Sequence, residues 1–189
     1  MTNTGKAAYI LAGGRSTRMR TDKARLLIQG RTLARHIAEQ ASLAADNVTL
    51  VGGEPLEDLR TIPDRYPGFG PVGGMATALL DTASEWNLLL ACDMPFVTAP
   101  FLAALLARGA EGGWNAVIPQ TPDGRRHPLC AAYRLSALGA LQLAVATGVH
   151  TVREAIKPLY IVHFPVEDLR VVTNINTPDE WATALAGEE

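Results

Sequence analysis

A glycine-rich turn carrying basic residues follows the first apolar segment of the chain. Gly13 and Gly14 open this turn, Ser16 follows them, and Arg18 and Lys23 add positive charge. Glycine lets backbone N–H groups approach a phosphate closely, and the Ser16 hydroxyl supplies a further donor. The turn therefore predicts a phosphate-binding site, whereas Gly13 and Gly14 taken alone are equally consistent with a structural turn between a strand and a helix.

The turn differs from two common phosphate-binding motifs. The lysine loop of many ATPases has Ser or Thr directly after its lysine, but Ala24 follows Lys23. The dinucleotide-binding fingerprint needs a third spaced glycine, which is missing after Gly14. The sequence therefore excludes both motifs.

A carboxylate follows the most apolar segment of the chain. Residues 86–92 predict a buried strand, and Asp93 comes directly after it. Open parallel sheets bind ligands at the carboxyl ends of their strands, and a carboxylate is a hard oxygen ligand suited to Mg²⁺ that carries phosphates. Asp93 is therefore the candidate metal ligand, with a capping or turn aspartate as the structural alternative.

A segment rich in glycine and proline follows Asp64. This segment contains Gly70, Pro71 and Gly74. Its composition predicts a loop that leads into a helix starting at Met75. By composition alone, Asp64 is an ordinary turn residue.

Two polar segments lie in the second half of the chain. Arg126 and His127 precede a predicted strand and, by themselves, indicate the polar end of a hairpin. Asn174 and Asn176 precede Pro178. A helix is predicted to start at Pro178, since proline is favoured at the first helical position.

The predicted elements that position these residues alternate between strands and helices. Apolar strands alternating with helices predict a mostly parallel sheet covered on both faces. We therefore expect one three-layer, Rossmann-like α/β domain over residues 1–189. The predicted strands cover 7–12, 48–51, 60–62, 86–92, 116–118, 129–133 and 160–164, and the predicted helices cover 33–45, 75–84, 99–108, 135–146 and 178–185.

The composition limits the possible classes of protein. The chain has 189 residues, of which 48% are hydrophobic and 19% charged, as is typical of a globular domain. Its net charge of -2 gives no reason to expect nucleic acid or an acidic membrane as a partner. Cys92 and Cys130 lack metal-type spacing and predict reduced thiols in a cytoplasmic protein. The run 7–12 is too short for a signal peptide core, and no segment approaches the length of a membrane span.

The first turn resembles the signature of the MobA-like nucleotidyltransferases, which include the molybdenum cofactor guanylyltransferases. Four further segments, around Asp64, Asp93, His127 and Asn174, resemble family elements in the same order. The resemblance implies a fold of the nucleotide-diphospho-sugar transferase type. The resemblance of the first turn rests on the run Leu11-Ala12-Gly13-Gly14-x-Ser16-x-Arg18-Met19-x-x-Asp22-Lys23.

The resemblance also implies an activity. The terminal phosphate of molybdopterin, or of the molybdenum cofactor, would attack the α-phosphorus of GTP and release pyrophosphate, with Mg²⁺ as the metal. The implied catalytic residues are Arg18, Lys23 and Asp93, with Asp93 as the metal ligand. The implied GTP-binding residues are Leu11, Ala12, Gly13, Gly14, Lys23, Asp64, Gly70, Pro71, Gly74 and Asp93. The implied acceptor-side residues are Arg126, His127, Asn174 and Asn176.

The sequence leaves other functions open. CMP could be transferred instead of GMP, or a sugar phosphate could be the acceptor. A different class of function is an inactive nucleotide-binding adaptor that delivers cofactor to molybdoenzymes. Arg20, where the family has glycine, and Glu54, in a stretch where the family often has asparagine, favour the adaptor. Lys23 and Asp93 together favour an enzyme. Molybdoenzyme apoproteins or their chaperones are the protein partners that the resemblance implies.

Overall fold

The structure of the protein is a computed structural model that describes residues 5–12, 27–28, 31–56 and 58–175. Its centre is a seven-stranded sheet, accompanied by a small two-stranded hairpin. The strands of the large sheet are β1 (Lys6–Leu11), β4 (Asn47–Val51), β5 (Arg60–Ile62), β6 (Trp86–Ala91), β7 (Ala116–Gln120), β8 (Cys130–Arg134) and β9 (Ile161–Pro165). The hairpin pairs β2 (Leu27–Ile28) with β3 (Arg31–Thr32) in antiparallel orientation.

The order of the large sheet is β5-β4-β1-β6-β8-β7-β9. Strand β8 runs antiparallel to both of its neighbours, β6 and β7. The remaining strands of this sheet run parallel to one another. The prediction of a mostly parallel sheet is confirmed.

Helices cover both faces of the sheet. Side chains of α1 and α3 share one apolar cluster with the sheet, and side chains of α2, α4 and α5 share a second cluster on the opposite face. This arrangement confirms the predicted three layers. The helices are α1 (Leu33–Ser42), α2 (Gly70–Asp81), α3 (Ala99–Ala110), α4 (Leu138–Ala146) and α5 (Val152–Ala155), and two 3₁₀ turns cover Leu135–Ala137 and Leu169–Val172.

The central strand β1 shows why the sheet needs helices on both sides. Successive side chains of a strand point to opposite faces. Ala8 and Ile10 therefore join the cluster beneath α1 and α3, while Tyr9 and Leu11 join the cluster beneath α2. All four side chains are buried, and burying a side chain the size of leucine or isoleucine contributes about 1.5–3 kcal/mol. Both faces of this strand therefore stabilise the fold.

Helix α1 begins where the sequence places its start. The Thr32 hydroxyl accepts a hydrogen bond from the backbone N–H of Arg35 at 3.3 Å, which satisfies one of the unpaired donors of the first turn. The helix ends at Ser42 rather than at Ala45, because the chain turns there towards β4.

Helix α2 begins earlier than predicted. It starts at Gly70, so the segment from Gly70 to Gly74 forms the first turns of a helix instead of a loop. Pro71 fits the first turn because its missing N–H would be unpaired there in any case. Gly73 lets the helix pack closely, since a Cβ at that position would lie 2.5 Å from the Tyr66 carbonyl oxygen. The glycines and the proline of this segment predicted a loop, because local residue preferences do not reveal the contact between Gly73 and Tyr66.

Other element boundaries also differ from prediction, among them those of α3, of β6 and of the helix predicted over 135–146. Helix α3 continues through Gly109, which packs against the Trp86 indole, whereas the sequence placed that glycine beyond the helix. Strand β6 ends at Ala91, one residue early, and the predicted helix over 135–146 begins as a 3₁₀ turn. The predicted helix over 178–185 lies outside the described residues. Within the described part of the chain, no helix has both the length and the apolar character needed to cross a bilayer.

Candidate active site

The carboxyl ends of three neighbouring strands meet at one edge of the sheet. Leu11, the last residue of β1, pairs with Val51 at the end of β4 and with Ala91 at the end of β6. The N–H of Ala12 donates to the Val51 carbonyl at 3.0 Å. The turns after all three strands therefore begin side by side, and Asp93 lies in the turn after β6.

The turn after β4 lies against the start of the predicted phosphate turn. Gly52 and Gly53 adopt positive φ angles of 69° and 71°. A Cβ at Gly53 would lie 3.1 Å from the Cβ of Ala12. The turn at Gly52 and Gly53 thus lies close to Ala12, a contact that the sequence analysis did not predict.

Asp93 is held by the segment that follows the second 3₁₀ turn. The Asn174 side-chain amide donates to Asp93 Oδ1 at 3.1 Å, and the N–H of Ile175 donates to the Asp93 carbonyl oxygen at 2.9 Å. The side chains of Asp93 and Asn174 are both partly buried. The sequence analysis placed Asn174 on the acceptor side, and the structure places it in contact with the candidate metal ligand.

A buried thiol lies next to this edge of the sheet. Cys130 pairs with Leu90 of β6 and is fully buried. Burial, with a smaller contribution from the negative charge of Asp93, raises the pKa of the Cys130 thiol to about 12. The thiol therefore stays protonated at neutral pH and is unsuited to act as a nucleophile or a metal ligand.

Asp64 is tied to helix α2. Its Oδ1 accepts hydrogen bonds from the Tyr66 N–H at 2.9 Å and from the Thr77 hydroxyl at 3.0 Å. The same hydroxyl oxygen accepts from the Arg65 N–H at 3.0 Å. The turn role expected for Asp64 is confirmed. The sequence did not indicate that Thr77, which is fully buried, binds Asp64. This hydrogen bond forms only because helix α2 brings Thr77 beneath the turn.

The first turns of α2 contain both buried and exposed residues of the predicted site. Gly74 is buried against the end of β1, where an added Cβ would lie 3.4 Å from Leu11 Cδ2. Gly70 and Pro71 are exposed at the start of the helix. Leu11, Gly74 and Asp64 therefore belong to one packed unit, joined through α2.

Arg126 and His127 lie farther along the sheet, in the hairpin between β7 and β8. The His127 N–H donates to the Pro119 carbonyl at 3.0 Å. The backbone of Arg126 forms an isolated antiparallel β-bridge with that of Gln120. His127 is 6% exposed, and its Nε2 has no hydrogen-bond partner among the described residues. Burial first, and the charge of Arg125 second, lower the pKa of His127, so its imidazole is neutral at pH 7. Arg126 is exposed.

The sequence of the chain matches a known protein family. Residues 8–174 match the model of the MobA-like NTP transferase domain. The chain belongs to the MobA-like NTP transferase family. It is therefore a nucleotidyltransferase, in agreement with the sequence analysis.

Two named relatives align over most of the chain. A protein of Chloroflexus aggregans named probable molybdenum cofactor guanylyltransferase is 35% identical, over 92% of this chain and 90% of the relative. The molybdenum cofactor guanylyltransferase of Rhizobium johnstonii is 30% identical, over 94% and 90% of the two chains.

Solved structures agree with the fold. The crystal structure of molybdopterin-guanine dinucleotide biosynthesis protein A from Archaeoglobus fulgidus superposes with a TM-score of 0.83 at 26% identity, covering 97% of this chain and all of that one. A CMP:2-keto-3-deoxy-manno-octonic acid synthetase in complex with CTP gives a TM-score of 0.80 at 14% identity, over 97% and 98% of the two chains. The predicted nucleotide-diphospho-sugar transferase type of fold is confirmed.

The residues around Asp93 fit a metal that is shared with a substrate. Among the described residues, no three His, Cys, Asp or Glu side chains form a group that could enclose a metal ion. Mg²⁺ in nucleotide-dependent enzymes is commonly bound by one or two carboxylates together with phosphate oxygens. Asp93, oriented by the Asn174 amide, is a suitable carboxylate for such a site.

The described structure brings together part of the predicted site. Leu11, Ala12, Gly74, Asp93 and Asn174 are joined at or beside the carboxyl edge of β1 and β6. The hairpin with Arg126 and His127 joins β7 to β8, the strand that lies next to β6 in the same sheet. The predicted site residues outside the described part of the chain are Gly13, Gly14, Arg18, Lys23 and Asn176.

Proposed function

We propose that this nucleotidyltransferase transfers GMP from GTP to the terminal phosphate of molybdopterin, or of the molybdenum cofactor, in a Mg²⁺-dependent reaction. The observation that carries the proposal is the placement of Asp93 at the carboxyl end of β6, beside the end of β1 from which the predicted phosphate turn departs. The names of the aligned relatives support guanylyl transfer as the reaction.

The chemistry needs positioning more than a base. An oxygen of the acceptor phosphate forms a bond to the α-phosphorus of GTP while the bond to the bridging oxygen breaks, and pyrophosphate leaves with that oxygen. The acceptor is already an anion, so no strong general base is required. The protein must bring two anions together and stabilise the charge that moves between them.

Asp93 would hold Mg²⁺, which supplies positive charge to the phosphate oxygens when bound. Asn174 orients the Asp93 carboxylate by donating to Oδ1. A ligand that is fixed by such an outer hydrogen bond loses less freedom when the metal and the triphosphate bind. Asn174 is therefore a positioning residue in this proposal.

The remaining predicted residues have distinct tasks. Gly13 and Gly14 would donate backbone N–H groups to the triphosphate, and Arg18 and Lys23 would neutralise its charge. Asp64, at the start of the segment packed on α2, would accept from the N–H groups of guanine. The other oxygen of the Asp64 carboxylate could serve this contact, since Oδ1 is used within the turn.

The setting of the reaction follows from the same proposal. The product would pass to molybdoenzyme apoproteins or to their chaperones. The buried Cys130 is a free thiol, as is usual for proteins kept under reducing conditions. We propose the cytoplasm as the compartment of this reaction.

Pyrophosphate release by the purified protein tests the proposal directly. The reaction contains Mg²⁺ and molybdopterin, and GTP, CTP and ATP are compared as donors. We expect release with GTP alone and none after chelation of the metal. Release with CTP would keep the mechanism and replace the nucleotide. Binding of GTP without release would contradict molybdopterin as the acceptor.

A further inference from the structure

A cavity of about 850 Å³ lies at the far end of the sheet from β5, beside the edge strand β9. We name it the basic cavity. Its walls come from the hairpin between β7 and β8, from the segment that includes α5, and from β9. The residues that matter for its chemistry are Arg126, Arg153, Lys157, Tyr160 and His163.

Three cations, Arg126, Arg153 and Lys157, line the basic cavity, and its described lining residues include no carboxylate. Lys157, which follows α5, pairs with Glu154 of that helix, whereas Arg126 and Arg153 have no carboxylate within salt-bridge distance among the described residues. Converging cations in a concave site raise the local concentration of anions. The cavity therefore favours an anionic ligand.

His163 adds a neutral polar group to this wall. His163 and Arg126 line the same cavity, and burial first, with the positive charge of Arg126 second, lowers the pKa of His163. A neutral imidazole can accept one hydrogen bond and donate another. The ligand therefore meets both charged donors and a neutral hydrogen-bonding group.

Apolar side chains complete the cavity. Leu159, Ile161 and Pro128 lie in its wall together with the ring of Tyr160. Sites that bind small molecules typically combine apolar walls with a few polar groups, and this volume falls within their usual range. A ligand with a ring system and an anionic group matches both features, whereas a bare inorganic ion would leave the apolar wall in contact with water.

The position of the basic cavity relates it to Asp93. Pro128 lines the cavity, and the next residue, Leu129, accepts a hydrogen bond from the Ala91 N–H at 2.7 Å, two residues before Asp93. Strands β6 and β9 are three positions apart in the sheet, which corresponds to roughly 14 Å at the usual spacing between strands. One elongated molecule could therefore extend from the region of Asp93 towards the cavity.

We propose that the basic cavity binds the part of the acceptor that is remote from its reacting phosphate, through Arg126, Arg153 and Lys157. This inference rests on the proposed function, because it takes the acceptor to be a phosphorylated molecule with a polar ring system. The cavity gives affinity for the acceptor, while Asp93 and the first turn act on the triphosphate. Arg153 and Lys157, four residues apart, are the specificity residues of the basic cavity.

Equilibrium binding of molybdopterin in the absence of GTP tests this assignment. Titration calorimetry compares the wild-type protein with Arg153→Gln and with Arg153→Gln/Lys157→Gln. Arg108→Gln is the matched control, because Arg108 is a partly exposed arginine near the end of α3 that pairs with Glu111 and does not line the cavity. We expect Arg153→Gln to weaken binding by about tenfold and the double variant to weaken it further, as for loss of hydrogen bonds to a charged group. Arg108→Gln should bind like the wild type.

Turnover separates this inference from the proposed function. If the protein transfers GMP, Arg153→Gln should raise KM for molybdopterin while KM for GTP stays unchanged. Equal acceptor binding by the wild type and both cavity variants would overturn the assignment, even with transfer intact. Loss of pyrophosphate binding alone in the cavity variants would also overturn it, because the cavity would then bind a free phosphate compound. Weakened acceptor binding would support the cavity even if CTP proved to be the donor.

Discussion

The side-chain amide of Asn174 donates a hydrogen bond to Oδ1 of Asp93 at 3.1 Å, although the two residues are 81 positions apart in the sequence. The neighbouring Ile175 N–H binds the Asp93 carbonyl oxygen, so both the side chain and the backbone of Asp93 are restrained. The end of the described chain therefore returns to the carboxyl edge of the central sheet. This contact joins a residue predicted to bind a metal with one predicted to face the acceptor.

Asp93→Ala should abolish transfer and leave the fold intact. Loss of the carboxylate removes the proposed ligand for Mg²⁺, and we expect the rate to fall by roughly a thousandfold. Pyrophosphate release measures the rate, and near-ultraviolet circular dichroism checks the fold. Asp46→Ala is the control, since Asp46 is an exposed aspartate that accepts from the Lys6 N–H at the opposite end of β1. Normal turnover by Asp93→Ala in Mg²⁺ would reject the metal assignment.

Asn174→Ala should lower the rate by about tenfold and raise the Mg²⁺ concentration needed for half-maximal rate. Outer hydrogen bonds to metal ligands commonly contribute this much to affinity or activity. The measurement is the rate as a function of Mg²⁺ concentration at saturating GTP. Thr173→Ala removes a neighbouring exposed hydroxyl that donates to the Leu169 carbonyl and should change neither quantity. A reduced rate with an unchanged Mg²⁺ dependence would show that Asn174 acts elsewhere.

Asp64→Ala should reduce the preference for GTP over inosine triphosphate. Inosine lacks the exocyclic amino group, so the preference reports the contact proposed between Asp64 and guanine. We expect a ratio of kcat/KM values that falls by about tenfold, the usual effect of one lost hydrogen bond to a charged group.

Thr77→Val is the control for the structural role of Asp64. This change removes the hydroxyl that donates to Asp64 and accepts from Arg65. Both variants should lower the free energy of unfolding by about 1–3 kcal/mol, because buried hydrogen-bonding groups lose their partners. The base preference should change only in Asp64→Ala. An equal change in both variants would assign Asp64 to the turn alone.

Tyr9→Phe should alter how stability depends on alkaline pH. The buried Tyr9 hydroxyl donates to Asp81 Oδ2 at 2.9 Å, and Arg60 binds the same carboxylate through two nitrogens. Burial, followed by the hydrogen bond to Asp81, raises the pKa of Tyr9 from 10.0 to about 12. A raised pKa favours the protonated form, so its stabilisation is complete below pH 10 and is lost as pH rises towards 12.

Urea unfolding from pH 8 upward measures this effect. At pH 8 the variant should be less stable by about 0.5–1.5 kcal/mol, the usual contribution of one hydrogen bond. Above pH 10 the difference between the two proteins should shrink, because only the wild type still has Tyr9 to titrate. Tyr160→Phe, which changes an exposed tyrosine, should follow the wild type. A constant difference across this range would contradict the role assigned to the Tyr9 proton.

Local sequence predicted the elements where burial alone decides the structure. Residues 86–91, which are apolar except for the buried Asn87, form a strand between two helical layers. The Thr32 cap was predictable because its hydrogen bond spans only three residues. The start of α2 at Gly70 was not, since the close contact between Gly73 and Tyr66 exists only after the preceding turn has folded.

The sequence by itself therefore determined the layered α/β fold and the residue types that are predicted to bind phosphate, because periodic burial and local charge are properties of short segments. It also placed Asp93 at the end of a buried strand. Only the tertiary structure decided that Asn174 contacts Asp93, that Thr77 holds Asp64, and that Arg153 lines a cavity with Arg126. These relations depend on the order of strands in the sheet, which brings distant segments together through packing that no local pattern records.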